Sequence, residues 1–193
     1  MRRITLIQGH PDPAGGHLDH ALADAYAEGA TGAGHQLRRI EIATLDFPLL
    51  RHKTEFEHGP TPPALLDAQA AIAWAEHLVV VYPIWLGDMP ALLKGFLEQT
   101  LRPGFAFDYQ DGGKVRMRLK GKSARLVVTM GMPALAYRWY YGAPSVKSFE
   151  RHILKFIGIA PIARSLYGMA EAASAAERQA WLDDLQELGR QGA

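Results

Sequence analysis

The stretch that decides the fold runs from Leu78 to Pro90 and reads LVVVYPIWLGDMP. Its first four residues are apolar and three of them are β-branched, which is typical of a strand buried on both faces of a parallel sheet. The strand ends at Pro83, and an apolar loop follows where a polar turn would be expected. Asp88 and Pro90 then open a helix, because proline is tolerated in the first turn of a helix. An apolar loop at the carboxyl end of a buried strand is where open α/β sheets bind flat ligands.

The rest of the chain alternates between predicted strands and predicted helices, which indicates a parallel sheet with helices on both faces. At 193 residues we expect a single domain covering residues 1–193. Five units, each a strand followed by a helix, fit an α/β flavodoxin-like three-layer sandwich with a five-stranded parallel sheet in the order 2-1-3-4-5. Residues 47–62 are predicted to be a polar loop, and Asp111-Gly112-Gly113 indicates a hairpin excursion. The predicted strands cover 3–8, 37–45, 78–82, 124–129 and 159–166, and the predicted helices begin at Leu18, Thr61, Pro90, Ser145 and Ser174.

Composition excludes several classes of function. The net charge of +1 argues against a nucleic-acid partner and against a strongly acidic electron carrier. The chain contains no cysteine, which excludes disulfides, thiolate metal sites and a cysteine nucleophile and fits a cytoplasmic protein. No apolar run approaches the roughly 20 residues of a membrane span, so we expect no membrane insertion.

The loop after the first strand, GHPDPAGGHLDH from Gly9 to His20, leads directly into a helix. It matches neither G-x-G-x-x-G nor the P-loop pattern, so it supports neither a dinucleotide Rossmann site nor an NTPase. Backbone N–H groups at a helix start still form an anion site, and His10 and His17 add possible donors for a phosphate. The alternative is a tight turn with surface histidines. The spacing of His10, Asp12, His17 and His20 matches no familiar set of metal ligands, so no metal site is expected.

Two further loops are unusually apolar or aromatic. Residues 83–87 offer an apolar wall with backbone polar groups, which a flavin ring requires, although they could instead cap the core or form a protein interface. In the loop after the fourth strand, Gly131 permits close approach to a ligand. Tyr137, Tyr140 and Tyr141 either line a pocket or pack at a dimer interface, where aromatic residues are enriched.

The segment from Tyr82 to Phe96, YPIWLGDMPALLKGF, resembles the flavodoxin-like NAD(P)H:quinone oxidoreductases, the DT-diaphorase family. The resemblance extends over nearly the whole chain, through His10-Pro11, the PGFAF run at 103–107 and Thr129-Met130-Gly131. The first loop is longer than is usual in the family by about the Gly15-Gly16 pair, and His17 stands where the family commonly has serine.

The resemblance implies a flavin site and assigns residues to it. Tyr137 is the closest match to the catalytic pocket tyrosine of the family, and Arg178 is a candidate contact for the adenine of FAD. The residues implied to bind the phosphate side are His10, His17, Leu18 and Asp19, and those implied to bind the ring are Pro83, Ile84, Trp85, Leu86, Thr129, Met130 and Gly131.

The resemblance also implies the activity: NAD(P)H reduces a bound FAD or FMN, and a quinone-type acceptor then takes the electrons in a ping-pong cycle. It further implies a homodimer, with residues 139–141 at the interface. The alternatives are an azo- or nitroreductase and a regulatory or ancillary flavoprotein subunit of a potassium-efflux system. An electron-carrier flavodoxin is disfavoured by the near-neutral charge, and a receiver-type signalling domain by Pro83 and the lone Asp12.

Overall fold

Strand β3 (His77–Pro83) lies at the centre of a five-stranded parallel sheet, and all seven of its residues are buried. In the computed structural model, which describes residues 1–193, the sheet order is β2-β1-β3-β6-β7. Two short strands, β4 and β5, follow β3 and precede β6 along the chain, and they form a separate antiparallel hairpin outside the sheet. Counted without that hairpin, the order is 2-1-3-4-5, so the predicted flavodoxin-like topology is confirmed. The strands are β1 (Arg3–Gln8), β2 (Gln36–Glu41), β3 (His77–Pro83), β4 (Phe107–Tyr109), β5 (Val115–Met117), β6 (Ser123–Thr129) and β7 (Ile162–Tyr167).

Helices cover both faces of the sheet. One face packs against α1 and α6 in a cluster of 11 buried apolar residues, and the other carries α3, α4 and α5 in a cluster of 29. No helix in the chain combines the length and the apolarity needed to cross a bilayer. The helices are α1 (Leu18–Gly32), α2 (Lys53–His58), α3 (Leu66–Trp74), α4 (Ala91–Thr100), α5 (Pro144–Ser148, continued by wider turns over Phe149–Leu154) and α6 (Ala175–Gln191).

Two predicted strand boundaries and one predicted loop are wrong. Strand β2 ends at Glu41, and Ile42–Thr44 form a single helical turn instead of continuing the strand. Strand β7 begins at Ile162, because the N–H of Ile159 still donates to the Leu154 carbonyl at the end of the preceding helix. The predicted polar loop at 47–62 contains helix α2, which buries no residue and therefore shows no apolar periodicity in the sequence.

Helices α1 and α6 approach each other so closely that glycine is required at their contact. A Cβ on Gly29 would overlap the carbonyl oxygen of Gln186, and a Cβ on Gly189 would overlap that of Tyr26. Gly32, one turn further along α1, faces open space instead. The two glycines of α1 therefore have different roles, although both stand in the same helix.

We expect Gly29→Ala to destabilise the protein by about 3 kcal/mol, because the added methyl group forces two backbones apart. Gly32→Ala is the matched control and should be neutral or stabilising by up to about 1 kcal/mol, since alanine has the higher helix propensity. Urea unfolding followed by circular dichroism measures both. Equal effects of the two substitutions would contradict the close packing of α1 on α6.

Candidate functional site

The loops that follow β1, β3 and β6 meet at one edge of the sheet and enclose a cleft of about 520 Å³. This volume lies in the range of cofactor-sized sites. The structure brings ten of the eleven residues that the sequence assigned to flavin binding into the lining of this cleft. The lining residues are His10, Asp12, Gly16, His17, Leu18, Asp19, Pro83, Ile84, Trp85, Thr129, Met130, Gly131, Ala170, Glu171 and Arg178.

Leu86 is the exception, because it does not line the cleft. Residues 85–88 form a tight turn, in which the N–H of Trp85 donates to the Asp88 carbonyl (2.8 Å) and the reverse bond is 3.1 Å. Leu86 and Gly87 both have positive φ (49° and 85°), as the two central residues of a type I′ turn require. The Leu86 side chain therefore stands fully in solvent, while Trp85 turns to the cleft and is half exposed.

Tyr137 lies in the core and not in the cleft. Its side chain is 2% exposed, its hydroxyl lies 2.6 Å from the Ser145 Oγ, and the N–H of Val146 donates to it at 3.3 Å. The catalytic role implied for Tyr137 stays a prediction, and the structure places its polar atom in hydrogen bonds inside the fold. Tyr140 and Tyr141 are exposed, and neither lines the cleft.

The anion-binding side of the cleft is the start of α1. His17 precedes the helix but caps it with no side-chain hydrogen bond, so the first N–H groups, including those of Leu18 and Asp19, lack an acceptor within the helix. Gln8 fixes this end of the helix to the sheet: its Nε2 donates to the Asp19 carbonyl (2.9 Å), and its Oε1 accepts from the His10 N–H (3.1 Å). Sequence reasoning missed Gln8, although a buried glutamine at the end of an apolar strand is itself a signal that a polar partner is near.

Three histidines form a stacked cluster above this helix start. The rings of His10 and His17 lie 4.1 Å apart and nearly parallel, and His20 lies 5.2 Å from His10. Burial, helped by repulsion from His17 and His20, lowers the pKa of His10 to about 4, so this ring is neutral at physiological pH. The N–H of Asp12 donates to His10 Nδ1 (3.2 Å), which leaves Nε2 as the N–H donor of the neutral ring.

Asp12 binds His17 on the outer side of the histidine cluster. Its carboxylate lies 2.7 Å from His17 Nε2 and also accepts from the Ala14 N–H. These two hydrogen bonds lower the pKa of Asp12. No three His, Cys, Asp or Glu side chains of the chain are arranged to hold a metal ion.

Asp19 is an acidic group inside the cleft. It is 4% exposed, and the Thr129 hydroxyl donates to both of its carboxylate oxygens at 3.0 and 3.1 Å. Burial raises the pKa of Asp19 to about 6, although the hydrogen bond from Thr129 opposes the shift. The group thus changes charge close to neutral pH, at the same end of the cleft as the free N–H groups of α1.

A fourth wall of the cleft comes from the segment after β7. The N–H of Ala170 donates to the Met130 carbonyl (3.1 Å), and the Arg178 guanidinium donates to the carbonyls of Ala170 and Glu171 (3.3 and 3.1 Å). Sequence reasoning named Arg178 alone from this wall, because the segment carries no motif and is recognisable only from its place after the last strand.

The cleft can hold a flat, partly apolar ligand that carries an anionic group. Ile84, Trp85 and Met130 supply an apolar wall, and the indole of Trp85 meets the His10 ring edge-on at 5.6 Å. The N–H of Gly131 makes no hydrogen bond within the chain and is free to meet a polar ring edge.

Comparisons with known proteins agree with this fold. A family model described as a flavodoxin-like fold matches residues 2–188. The chain is 25% identical over 173 residues to the FMN-dependent NADH:quinone oxidoreductase of Ruegeria pomeroyi, covering 81% of this chain and 85% of that protein. It is 30% identical over 138 residues to the human ribosyldihydronicotinamide dehydrogenase [quinone], covering 66% of this chain and 58% of the human protein.

The solved structure of the NAD(P)H:quinone oxidoreductase from Methanothermobacter marburgensis superimposes with a TM-score of 0.85, at 21% identity, over 100% of this chain and 99% of that chain. Among the first curated relatives the match spans 57%, 66% and 43% of the relative's own length. Because the family model covers the chain almost from end to end and the observed sheet order agrees with it, the chain belongs to this flavodoxin-like family.

Proposed function

We propose that this protein is a flavin-dependent oxidoreductase that transfers electrons from NAD(P)H to a quinone-type acceptor. The observation that carries the proposal is the cleft itself, where the apolar wall at Trp85 and the uncapped start of α1 line the same space. A flavin needs both features, one for its ring and one for its phosphate. Four of the first eight curated relatives are named FMN-dependent NADH:quinone oxidoreductases, which supports the assignment.

The start of α1 binds the phosphate in this proposal. The N–H of Leu18 at the start of α1 has no acceptor within the helix, and the helix dipole favours an anion there. The neutral His10 ring adds an N–H donor from Nε2, and Gln8 holds His10 and the helix in a fixed relation. The phosphate site is therefore assembled before the cofactor arrives, which lowers the cost of binding.

The loops after β3 and β6 position the ring. When bound, the flavin accepts a hydride from NAD(P)H and passes the electrons to the acceptor. The N–H of Ile84 donates to the Thr129 carbonyl (2.8 Å), which ties the two loops together and fixes the width of the slot between them. The free N–H of Gly131 stabilises negative charge at the polar edge of the ring, where a preorganised donor is most effective.

We favour FMN as the cofactor and keep FAD as the alternative. The relative from Ruegeria pomeroyi is named FMN-dependent, and a similar Bacillus anthracis azoreductase was solved in complex with FMN. FAD would need an adenine contact, for which Glu171 and Arg178 at the fourth wall are available. The Bacillus anthracis azoreductase structures make azo compounds the second candidate class of acceptor.

We propose a cytoplasmic location, with which the absence of cysteine is compatible.

The proposal is tested by purifying the protein, reading its flavin absorbance bands and identifying the released cofactor by mass spectrometry. We expect a yellow protein that oxidises NADH or NADPH only when a quinone such as menadione is present. Parallel lines in double-reciprocal plots would show the ping-pong order. A colourless protein that neither FMN nor FAD reconstitutes would contradict the proposal.

We propose that the protein is a homodimer and that the aromatic patch mediates it. This patch consists of Leu135, Trp139, Tyr140 and Tyr141, which are between 58% and 83% exposed. Such a density of exposed aromatic side chains is uncommon on a monomer and typical of interfaces. Trp139→Glu should shift the protein from dimer to monomer in sedimentation velocity, and a wild-type protein that is monomeric at about 10 μM would contradict the proposal.

Trp85→Ala is expected to weaken FMN binding about tenfold, because it removes the aromatic surface that covers the ring. Leu86→Ala is the matched control: the neighbouring side chain stands in solvent, so FMN affinity should stay unchanged. Quenching of flavin fluorescence during titration of apoprotein measures both affinities. Equal losses in the two variants would remove Trp85 from the binding site.

Asp19→Asn is expected to tighten FMN binding several-fold at about pH 7.5 and to leave it unchanged at about pH 5.5. The physical reason is that Asp19, with its pKa near 6, is ionised at the higher pH and then repels the phosphate. Asparagine keeps an oxygen for the Thr129 hydroxyl but carries no charge. The measurement is the FMN dissociation constant of both proteins across this range.

Riboflavin, which has no phosphate, serves as the control ligand for the Asp19 variant and should show no difference between the two proteins. The comparison of FMN with riboflavin isolates the effect of the Asp19 charge on the phosphate, because the two ligands share the same ring. An identical pH dependence for wild type and variant would show that Asp19 does not face the phosphate.

A further inference from the structure

Positive charge is concentrated in one part of the chain. Residues 112–170 contain eleven of the 21 Lys and Arg residues but only one of the 20 Asp and Glu residues, Glu150. Glu150 is buried and paired with Arg164, so it does not offset charge at the surface. The net charge of +1 thus averages a basic region with an acidic remainder, and asymmetry of this kind indicates an anionic partner. The eleven cations are Lys114, Arg116, Arg118, Lys120, Lys122, Arg125, Arg138, Lys147, Arg151, Lys155 and Arg164.

Six of these cations form what we call the cationic surface, and none of the six takes part in an ion pair. Their neighbours Arg118 and Arg164 are paired, with Asp108 and Glu150. The only other carboxylate on the hairpin is Asp111 at its tip. The cationic surface consists of Lys114, Arg116 and Lys120 on the hairpin and the segment after it, and of Lys147, Arg151 and Lys155 on the helical segment that begins with α5.

The two halves of the cationic surface belong to elements that touch. The N–H of Leu119 donates to the Ile157 carbonyl (3.1 Å), and Gly158 packs against Met117 and Lys120. On the helical segment, the three cations are spaced four residues apart, so they lie about one turn from each other on one side. On the hairpin, alternation along the strand places Lys114 and Arg116 on one face, and the partly exposed Tyr109 and Met117 lie on the other.

We propose that the cationic surface docks this protein on anionic lipid bilayers. Lysine and arginine attract acidic headgroups, which is why a group of unpaired cations favours an anionic surface. A second copy of the chain is a poor occupant, because two like-charged faces repel each other. The choice of a bilayer over another polyanion rests on the proposed function, since quinones with apolar tails dissolve in lipid and docking brings the reductase to them.

The experiment is flotation of the flavin-loaded protein with phosphatidylcholine vesicles that contain about 30% phosphatidylglycerol or none. We expect binding to the anionic vesicles at about 50 mM salt, and loss of binding at about 500 mM salt or without phosphatidylglycerol. The test variant is Lys114→Glu with Lys155→Glu, one change on each half of the cationic surface. The control is Arg38→Glu with Arg190→Glu, two exposed cations outside the basic region with the same change in net charge.

The test variant should bind anionic vesicles at least about tenfold more weakly, because each cation near the surface contributes about a fivefold factor in affinity. The control should stay within about twofold of wild type. The proposal is overturned by absence of binding at low salt, by equal binding to neutral vesicles, by equal losses in both variants, or by RNA that displaces the protein from anionic vesicles at lower charge concentration. Salt-sensitive self-association that the test variant abolishes, without vesicle binding, would also overturn it.

Turnover of a water-soluble quinone without vesicles separates this proposal from the proposed function. Both variants should retain wild-type turnover, since none of the four substituted residues lines the cleft. A protein that binds vesicles but holds no flavin would overturn the function and support docking. A protein that reduces the soluble quinone but ignores anionic vesicles would do the reverse.

Discussion

The cleft depends on hydrogen bonds that continue the parallel sheet beyond the ends of its strands. After β1, the N–H of Gly9 donates to the Val81 carbonyl (2.7 Å), and after β3, the N–H of Ile84 donates to the Thr129 carbonyl (2.8 Å). These two bonds hold the three loops in register with the strands that precede them. A Cβ on Gly9 would lie 2.9 Å from both the Val81 oxygen and a Leu93 methyl carbon, so only glycine allows the first of these bonds at this spacing.

Strand order and the composition of the cleft were predictable because both follow from patterns of short range. A run of β-branched residues at 78–81 identifies a central strand, and in a parallel sheet the loops after neighbouring strands must share one edge. Once the order was established, His10, Trp85 and Thr129 had to lie near one another, although they are far apart in sequence. Topology predicted which loops share the site, and the family resemblance supplied the individual residues and the identity of the ligand.

Two residues that the resemblance assigned to the site, Leu86 and Tyr137, lie outside the lining of the cleft for physical reasons of another kind. Leu86 looked like part of an apolar wall, but the two backbone bonds between Trp85 and Asp88 place it at the tip of a tight turn. Tyr137 looked like a pocket residue, but burial and its hydrogen bond to Ser145 place it in the core. In both cases side-chain type was read correctly while direction was not, and direction is decided by backbone dihedrals and tertiary partners that no local pattern encodes.

For Asp19 at the anion site and for the basic region on the surface, the effect of a charge depends on where the fold places it. Asp19 occupies the position where a helix favours an anion, yet its burial raises the pKa, so ionisation above about pH 6 opposes folding. Such a conflict with local preference is expected where function, not stability, selects the residue. The net charge of +1 does not reveal the basic region at 112–170, because a sum over the chain cancels charges that the fold keeps apart. A partner responds to the local field within about a Debye length of roughly 8 Å and not to the total, so the proposed docking on anionic bilayers is compatible with a net charge of +1.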